Sequence, residues 1–174
     1  AVVGYAPMTP TVKIVLNLEK FINSKPFKKE FPESGEDVKI MGLRKNSDLT
    51  LTIALALVDR FIDSEDTYFK RKEEILEKIK EFVSSYQEFK DIKIMVNNLD
   101  VRGRGIDGLY LTVLGTCADS ADSGQVGRGN RVSGVIPLNR PAGSEAAAGK
   151  NPVSHVGKIY SILSFQMAEE IYKK

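Results

Sequence analysis

The 174-residue sequence carries 25 Lys and Arg against 23 Asp and Glu, a formal net charge of +2, with 42% apolar and 28% charged residues. That length suits one domain or a tight pair, since domains most often hold roughly 100–150 residues, and the composition excludes a disordered chain. The longest apolar run, Ile53 to Val58, is six residues, where a transmembrane helix needs about 20, and the near-zero net charge argues against a nucleic-acid binder working through bulk electrostatics.

The chain opens at Ala1 without an initiator Met, and Ala1-Val2-Val3-Gly4-Tyr5-Ala6-Pro7 reads as the inside of a fold. It has neither the basic n-region nor the long apolar h-region of a signal peptide, so the expectation is that 174 residues are a piece of a longer protein. Thr9-Pro10 predicts a helix start, a hydroxyl N-cap followed by Pro at the first helical position. Ile14, Leu18, Phe21 and Ile22 fall on one face of that helix, and Asn23-Ser24-Lys25-Pro26 ends it. A polar connection through Phe31 to Glu36 leads to Val38–Leu43. Asn46-Ser47 then turns the chain into Leu49–Leu57, where Leu and Ile alternate with Thr and Ala. Period-two alternation across a turn predicts a hairpin.

A longer helix opens at Asp63 to Glu65, with Phe69, Ile75, Leu76, Ile79, Phe82, Val83 and Tyr86 as its apolar stripe. Its mixed run of charges, including Lys70, Arg71, Lys72, Glu73 and Glu74, predicts a solvated face. Strands are expected at Ile92–Val96 and Leu109–Leu114, separated by an Arg102-Gly103-Arg104-Gly105 loop. The last helix runs from about His155 to Tyr172, its apolar side set by Ile159, Leu163, Met167 and Ile171. The order predicts an α+β fold, a sheet with helices on one face. Its parts are a 1–106 helix-hairpin-helix-strand segment and a 107–174 segment of strand, glycine-rich loop and closing helix.

Between Leu114 and Val156 the periodicity fails. Gly115 to Gly157 holds 8 of the 14 glycines, with Arg128, Arg131, Arg140 and Lys150 and the acids Asp119, Asp122 and Glu145; Val135-Ile136 is its one candidate strand. So long a connection is uncommon in a compact domain unless it is functional. Glycines let backbone N–H groups approach a ligand, and guanidinium groups bind phosphate oxygens in pairs. Composition therefore leaves open a polyphosphate site, with acids that could hold Mg²⁺, or a surface loop with solvated charges. Gly143–Asn151 is a near miss to a phosphate-binding P-loop, with five residues between the glycines where four are required and Asn151 in place of the hydroxyl after Lys150. That motif is rejected. The Arg102–Gly105 and Gly127–Arg131 segments are alternative RNA contacts, but neither contains the aromatic platform such modules use. His155, ahead of the last helix, fits capping or packing, or contact with a ligand. Cys117 is the only cysteine, so it excludes an internal disulfide and fits a reducing cytoplasm; with a lone histidine it leaves no zinc set.

Several blocks resemble the archaeal type of methionine adenosyltransferase (S-adenosylmethionine synthetase). They are Val3–Pro7, Gly35-Glu36-Asp37-Val38-Lys39-Ile40-Met41-Gly42-Leu43-Arg44, Gly127-Arg128-Gly129-Asn130-Arg131-Val132, and Gly149-Lys150-Asn151-Pro152-Val153-Ser154-His155-Val156-Gly157-Lys158-Ile159-Tyr160. The resemblance implies a three-domain α+β architecture of helix-covered sheets. It implies an enzyme joining ATP to L-methionine with release of phosphate and pyrophosphate, aided by Mg²⁺ and K⁺. It also implies a cytoplasmic homodimer with shared active sites, with no membrane or nucleic-acid partner.

Carried onto this sequence, the resemblance makes Arg128 and Lys150 catalytic contacts to the triphosphate. Asp122 lies near adenosine and methionine, Arg131 takes a further phosphate role, and Asn151 and His155 fall in the matching substrate-binding block. Where family members often carry two adjacent acids, this chain has Asp122-Ser123-Gly124. A His-Pro-Asp-like motif and a metal-binding Asp of the family's earlier portion have no counterpart here, so the expectation is a middle-to-late portion, inactive by itself, with metal ligands unknown. Two alternatives stand beside it: a non-catalytic nucleotide-binding or self-associating subdomain, and an RNA-contacting module.

Overall fold

The computed structural model describes residues 2–116 and 131–174, and these fall into two compact units: Pro10–Ala121, and Ala1–Thr9 with Asp122–Lys174. In the first unit, α1 (Pro10–Ile22) begins at the expected proline and buries Ile14, Leu18 and Ile22. A second helix, α2 (Lys25–Glu30), follows where the sequence suggested only a terminator. Ser24 is its N-cap, its Oγ accepting from the Phe27 N–H at 3.4 Å, and Pro26 lies in the first turn, where no intrahelical N–H is needed. The Ser-Lys-Pro signal opens a new helix as well as closing the old one.

The hairpin forms as expected. β1 (Ser34–Lys45) pairs antiparallel with β2 (Asp48–Val58), in register from Lys45 opposite Asp48 to Val38 opposite Leu55. Asn46 takes φ +57°, the left-handed geometry of a two-residue hairpin turn that Asn tolerates. Helix α3 (Glu65–Val83) follows, capped by Ser64 Oγ accepting from the Thr67 N–H. It returns the chain to β3 (Asp91–Val96), which lies parallel to β2 from Asp48 opposite Asp91 to Ile53 opposite Val96. The strand expected over 109–114 is only β4 (Leu111–Thr112), parallel to the far end of β2 at Leu57 and Val58. Strand pairing is therefore limited by where β3 leaves β2.

The core is Leu49, Leu51, Ile53, Leu55 and Leu57 of one sheet face against Ile14, Leu18 and Ile22 of α1, Phe27 of α2, and Tyr68, Ile75, Ile79 and Val83 of α3. The opposite face is open in places, with Met41 and Leu43 exposed beside Thr52 and Thr50. This is an α+β layer with helices on one face, and residues of period 2 and period 3.6 explain it.

The charged run on α3 is not uniformly solvated. Arg71 leans onto the Phe31 ring at 4.9 Å, donates from Nε to Glu33 Oε1 at 2.5 Å and from Nη2 to the Glu30 carbonyl, and pairs with Glu74. Glu33 is only 2% exposed, so its carboxylate needs that partner. Tyr68, absent from the expected stripe, is fully buried; its hydroxyl donates to Asp100 Oδ2 at 2.8 Å and accepts from Asn97 Nδ2 and the Tyr110 N–H, both at 3.1 Å. Asn97, with φ +42°, extends the β2 ladder through its side chain. Its Oδ1 accepts from the Leu55 N–H and its Nδ2 donates to the Leu55 carbonyl, both at 2.8 Å. Lys72 closes the network, donating to the Asn97 carbonyl and to Asp100.

In the second unit, α4 (Val156–Lys173) fills the expected closing span but faces the other way. Ile159, Leu163, Met167 and Ile171, the expected inner side, are exposed, whereas Ser161 is buried. The segment at Gly4 packs against this helix. A Cβ on Gly4 would lie 2.0 Å from the Ser164 carbonyl oxygen, so backbone rides directly on backbone and only glycine fits at this position. Among the described residues no helix is long and apolar enough to cross a membrane.

Candidate functional site

The second unit gathers the sequence-predicted cations around the start of α4. Ala147 to Asn151 forms a turn closed by the Lys150 N–H to the Ala147 carbonyl, with Gly149 at φ +72°. Lys150 Nζ donates to Glu145 Oε1 at 2.7 Å, and its own carbonyl accepts from Lys158 Nζ at 2.8 Å. The partly buried ammonium is thus held by one carboxylate oxygen and keeps further donors for other acceptors. Lys150 in turn, followed by His155, holds the Glu145 carboxyl below the usual carboxylate range. The carboxylate lies over Gly157 in the first turn of α4, where a Cβ would come within 3.0 Å of its Cδ. A carboxylate is also favoured there by the helix dipole.

Glu145 lines a narrow cavity of about 20 Å³ together with Val3, Arg131, Ser133, Arg140 and Phe165. Two guanidinium nitrogens of this lining, Arg131 Nε and Arg140 Nη2, are buried without a protein hydrogen-bond partner; the Tyr5 hydroxyl, which does not line the cavity, is buried likewise. Arg140 stacks over the Tyr5 ring at 3.4 Å to the centroid, and Tyr5 meets Phe165 edge-on at 5.4 Å. Glu145 is matched by Lys150, so the two arginines leave the cavity positively charged among the described residues. Buried cationic N–H groups without partners are costly and are relieved by an oxyanion.

The remaining expected site residues divide. Asn151 ties the turn, its Oδ1 accepting from the Val153 N–H at 3.0 Å while its carbonyl accepts from the Ser154 and His155 N–H groups. His155 occupies the N-cap position of α4, but its side chain is exposed and makes no capping bond. The expected capping role is therefore corrected: the main chain performs it, with Lys158 N–H donating to the His155 carbonyl. Val135-Ile136, the candidate strand, is not a strand; it follows a turn in which Ser133 Oγ bonds both the N–H and the carbonyl of Val135. Asp122, Arg128 and Cys117 lie outside the described residues. Sequence reasoning singles out none of Arg140, Glu145 and Tyr5 individually. Arg140 and Glu145 were visible only as members of a charged loop, and nothing in spacing links Tyr5 to a residue more than a hundred positions later.

In the first unit the Arg-Gly loop is taken up locally. Arg102 Nη1 donates to Asp66 Oδ1 at 2.7 Å and its guanidinium covers the Phe69 ring at 4.2 Å, while the Gly103 N–H donates to Glu65 Oε1. Among the described residues no group of three His, Cys, Asp or Glu side chains converges to hold a metal ion.

The family model for S-adenosylmethionine synthetase (AdoMet synthetase) matches residues 1–174. The S-adenosylmethionine synthase of Thermococcus onnurineus is 52% identical over 169 residues, 97% of this chain and 41% of the relative. That of Pyrococcus furiosus is 50% identical over 171 residues, 98% and 42% respectively, and that of Methanosphaera stadtmanae 45% over 170 residues, 97% and 42%. This sequence thus spans about two-fifths of the length of these curated relatives, as the quoted motifs implied for a portion of a longer family member. With the matched span covering every residue, from the Tyr5 segment through the Lys150 turn to α4, the chain belongs to the S-adenosylmethionine synthetase family.

Proposed function

We propose that this chain supplies the triphosphate-binding part of a methionine adenosyltransferase, which forms S-adenosylmethionine from ATP and L-methionine and releases phosphate and pyrophosphate. In that reaction the methionine sulfur attacks the ribose C5′. The S–C bond forms as the C5′–O bond breaks, and the electron pair leaves with the triphosphate. The thioether carries no proton, so no general base is required. What is required is in-line placement and stabilisation of charge growing on the departing oxygens. The observation that carries the proposal is the cavity lined by Arg131, Arg140 and Glu145, where Arg131 Nε and Arg140 Nη2 are buried without partners and Glu145 holds the Lys150 ammonium.

Lys150 supplies the flexible point charge, and Arg131 a planar donor, each suited to phosphate oxygen. Arg128 is assigned the same role, and Asp122 a place near adenosine and methionine, on the motif match. Asn151 shapes the Lys150 turn, and His155 is assigned a place in the same substrate-binding block on the motif match. The proposed setting is a cytoplasmic homodimer using Mg²⁺ and K⁺, with neither membrane nor nucleic-acid partners. The described residues do not fit a metal ion, because the nearest acid, Glu145, is occupied by Lys150 and no second acid joins it. For an RNA role, the Arg102 donor is already paired with Asp66.

The test is Lys150→Ala in the full-length enzyme. Losing one preorganised electrostatic donor should lower kcat by about ten- to a thousandfold, with folding unchanged by circular dichroism. Near-normal turnover would overturn the assignment.

A further inference from the structure

Glu145 has no part in the proposed reaction as set out above, yet its carboxylate sits where two features of the second unit favour an anion. Its Oε1 accepts from Lys150 Nζ at 2.7 Å. It also lies over the first turn of α4, where a Cβ on Gly157 would come within 3.0 Å of Glu145 Cδ and 3.3 Å of Oε1. An ammonium and a helix N-terminus both attract negative charge. Both are therefore already served by a carboxylate of the chain's own.

The contact is poorly suited to a purely structural role. Lys150 and Glu145 side chains are 23% and 35% exposed, and an ion pair that water can reach contributes little to stability. The lysine's main chain is held without it, since the Lys150 N–H donates to the Ala147 carbonyl and the Lys150 carbonyl accepts from Lys158 Nζ. The Glu145 carboxyl lies below the usual carboxylate range, chiefly through Lys150, so it is ionised at neutral pH. A polyanion arriving at Lys150 thus meets an ammonium whose charge is already balanced. To reach it, a phosphate oxygen must come beside a like charge or push that charge aside.

We propose that Glu145 is the resident counter-anion of Lys150, a carboxylate that a polyphosphate must displace from the ammonium, so that polyphosphate binding is weakened and its release eased. This rests on the proposed function and concerns the regulation of that site. Attraction felt equally by bound substrate and by the transition state lowers KM without raising kcat, and it also retains polyphosphate products. A built-in competitor removes part of that uniform attraction and leaves Lys150 available once the carboxylate is displaced.

The experiment is calorimetric titration of the full-length protein with tripolyphosphate, with pyrophosphate and, separately, with L-methionine. It compares the wild type with Glu145→Gln, Lys150→Ala and the double variant. Gln keeps an oxygen that can accept from Lys150 and removes only the charge. Glu145→Gln should tighten tripolyphosphate and pyrophosphate about three- to tenfold, the scale of one partly exposed ion pair and its like-charge repulsion, and leave L-methionine unchanged. A carboxylate with a structural role alone would give equal or weaker binding. In the Lys150→Ala background the gain should fall below about twofold, because the competition acts through the ammonium. Equal or weaker binding of both phosphates in Glu145→Gln would overturn the counter-anion. So would a gain that persists in full without Lys150, which would assign the effect to the net charge of the cavity. A gain confined to L-methionine would place an amino-acid carboxylate opposite Lys150 and overturn the competition with polyphosphate. Undiminished tripolyphosphate binding in Lys150→Ala would overturn the proposed function itself, whatever Glu145→Gln shows. If Glu145→Gln does not fold, Glu145→Ala decides by the same sign of change.

Discussion

Replacing Gly35 with Ala probes the place where the glycine-rich segment leaves the sheet. A Cβ at Gly35 would lie 2.4 Å from the Gly115 carbonyl oxygen, 2.5 Å from that of Ala56 and 2.6 Å from the Gly115 Cα, all backbone atoms. To reach ordinary contact at 3.4 Å the Gly115 carbonyl would have to retreat by about 1 Å. That carbonyl accepts from the Asp37 N–H at 3.1 Å, while the Gly115 N–H donates to Thr112 Oγ1 at 2.9 Å, so the retreat breaks or strains both bonds. Overpacking of about 1–3 kcal/mol and one weakened backbone bond of about 1 kcal/mol give roughly 2–4 kcal/mol of destabilisation.

The assay is urea unfolding followed by far-ultraviolet circular dichroism, with hydrogen exchange at the Asp37 amide as the local probe. For a slope near 2 kcal/mol per molar, the midpoint should fall by about 1–2 M and the Asp37 amide should exchange faster. Gly42→Ala is the control on the same strand. Its Cβ would meet Val15 Cγ2 at 2.9 Å and Thr11 Cγ2 at 3.3 Å, side-chain methyls that can yield, so its cost should stay near or below about 1 kcal/mol. A loss below about 0.5 kcal/mol for Gly35→Ala, or equal losses for the two variants, would refute the backbone-crossing account.

Tyr68→Phe removes the hydroxyl joining Asp100, Asn97 and the Tyr110 N–H, and should cost about 2–4 kcal/mol by the same unfolding measurement, with faster exchange at Tyr110; a loss under about 0.5 kcal/mol would show that the network does not depend on it. Lys28 donates to the Ser34 and Gly35 carbonyls and to Ser34 Oγ, and burial lowers its pKa from 10.5 to about 8 against the opposing pull of Glu36 and Glu19. Between pH 8 and 10.5 the unfolded chain then binds more protons at this site than the folded one, so this group makes stability rise with pH across that window. Lys28→Met should flatten the rise measured by urea titration at several pH values, and an unchanged slope would count against the burial effect.

The hairpin, α1, α3 and the closing helix were legible because their periodicity is local, and local spacing alone selects helix or strand. α2 was hidden because Ser24-Lys25-Pro26 both stops one helix and caps the next, and a short helix carries too few turns for a stripe. Tyr68 and Arg71 were misplaced for another reason: polarity suggests solvent, whereas burial becomes tolerable once Asp100, Asn97 and Glu33 supply partners from distant segments. The buried face of α4 was not legible because the segment that packs on its backbone at Ser164 and Phe165 is at Gly4, more than a hundred residues away.

For the site, the sequence by itself determined the inventory: a glycine-rich span with cations, and motif blocks specific enough to indicate the family. Lys150 and Arg131 were named on that basis, while Arg128 and Asp122 lie outside the described residues. Only the tertiary structure decided that Glu145 holds Lys150, and that Tyr5 stacks beneath Arg140 beside the same cavity. Charge and residue type are written along the chain, but whether a charge is neutralised depends on which groups approach within a few ångströms, and folding alone makes that choice.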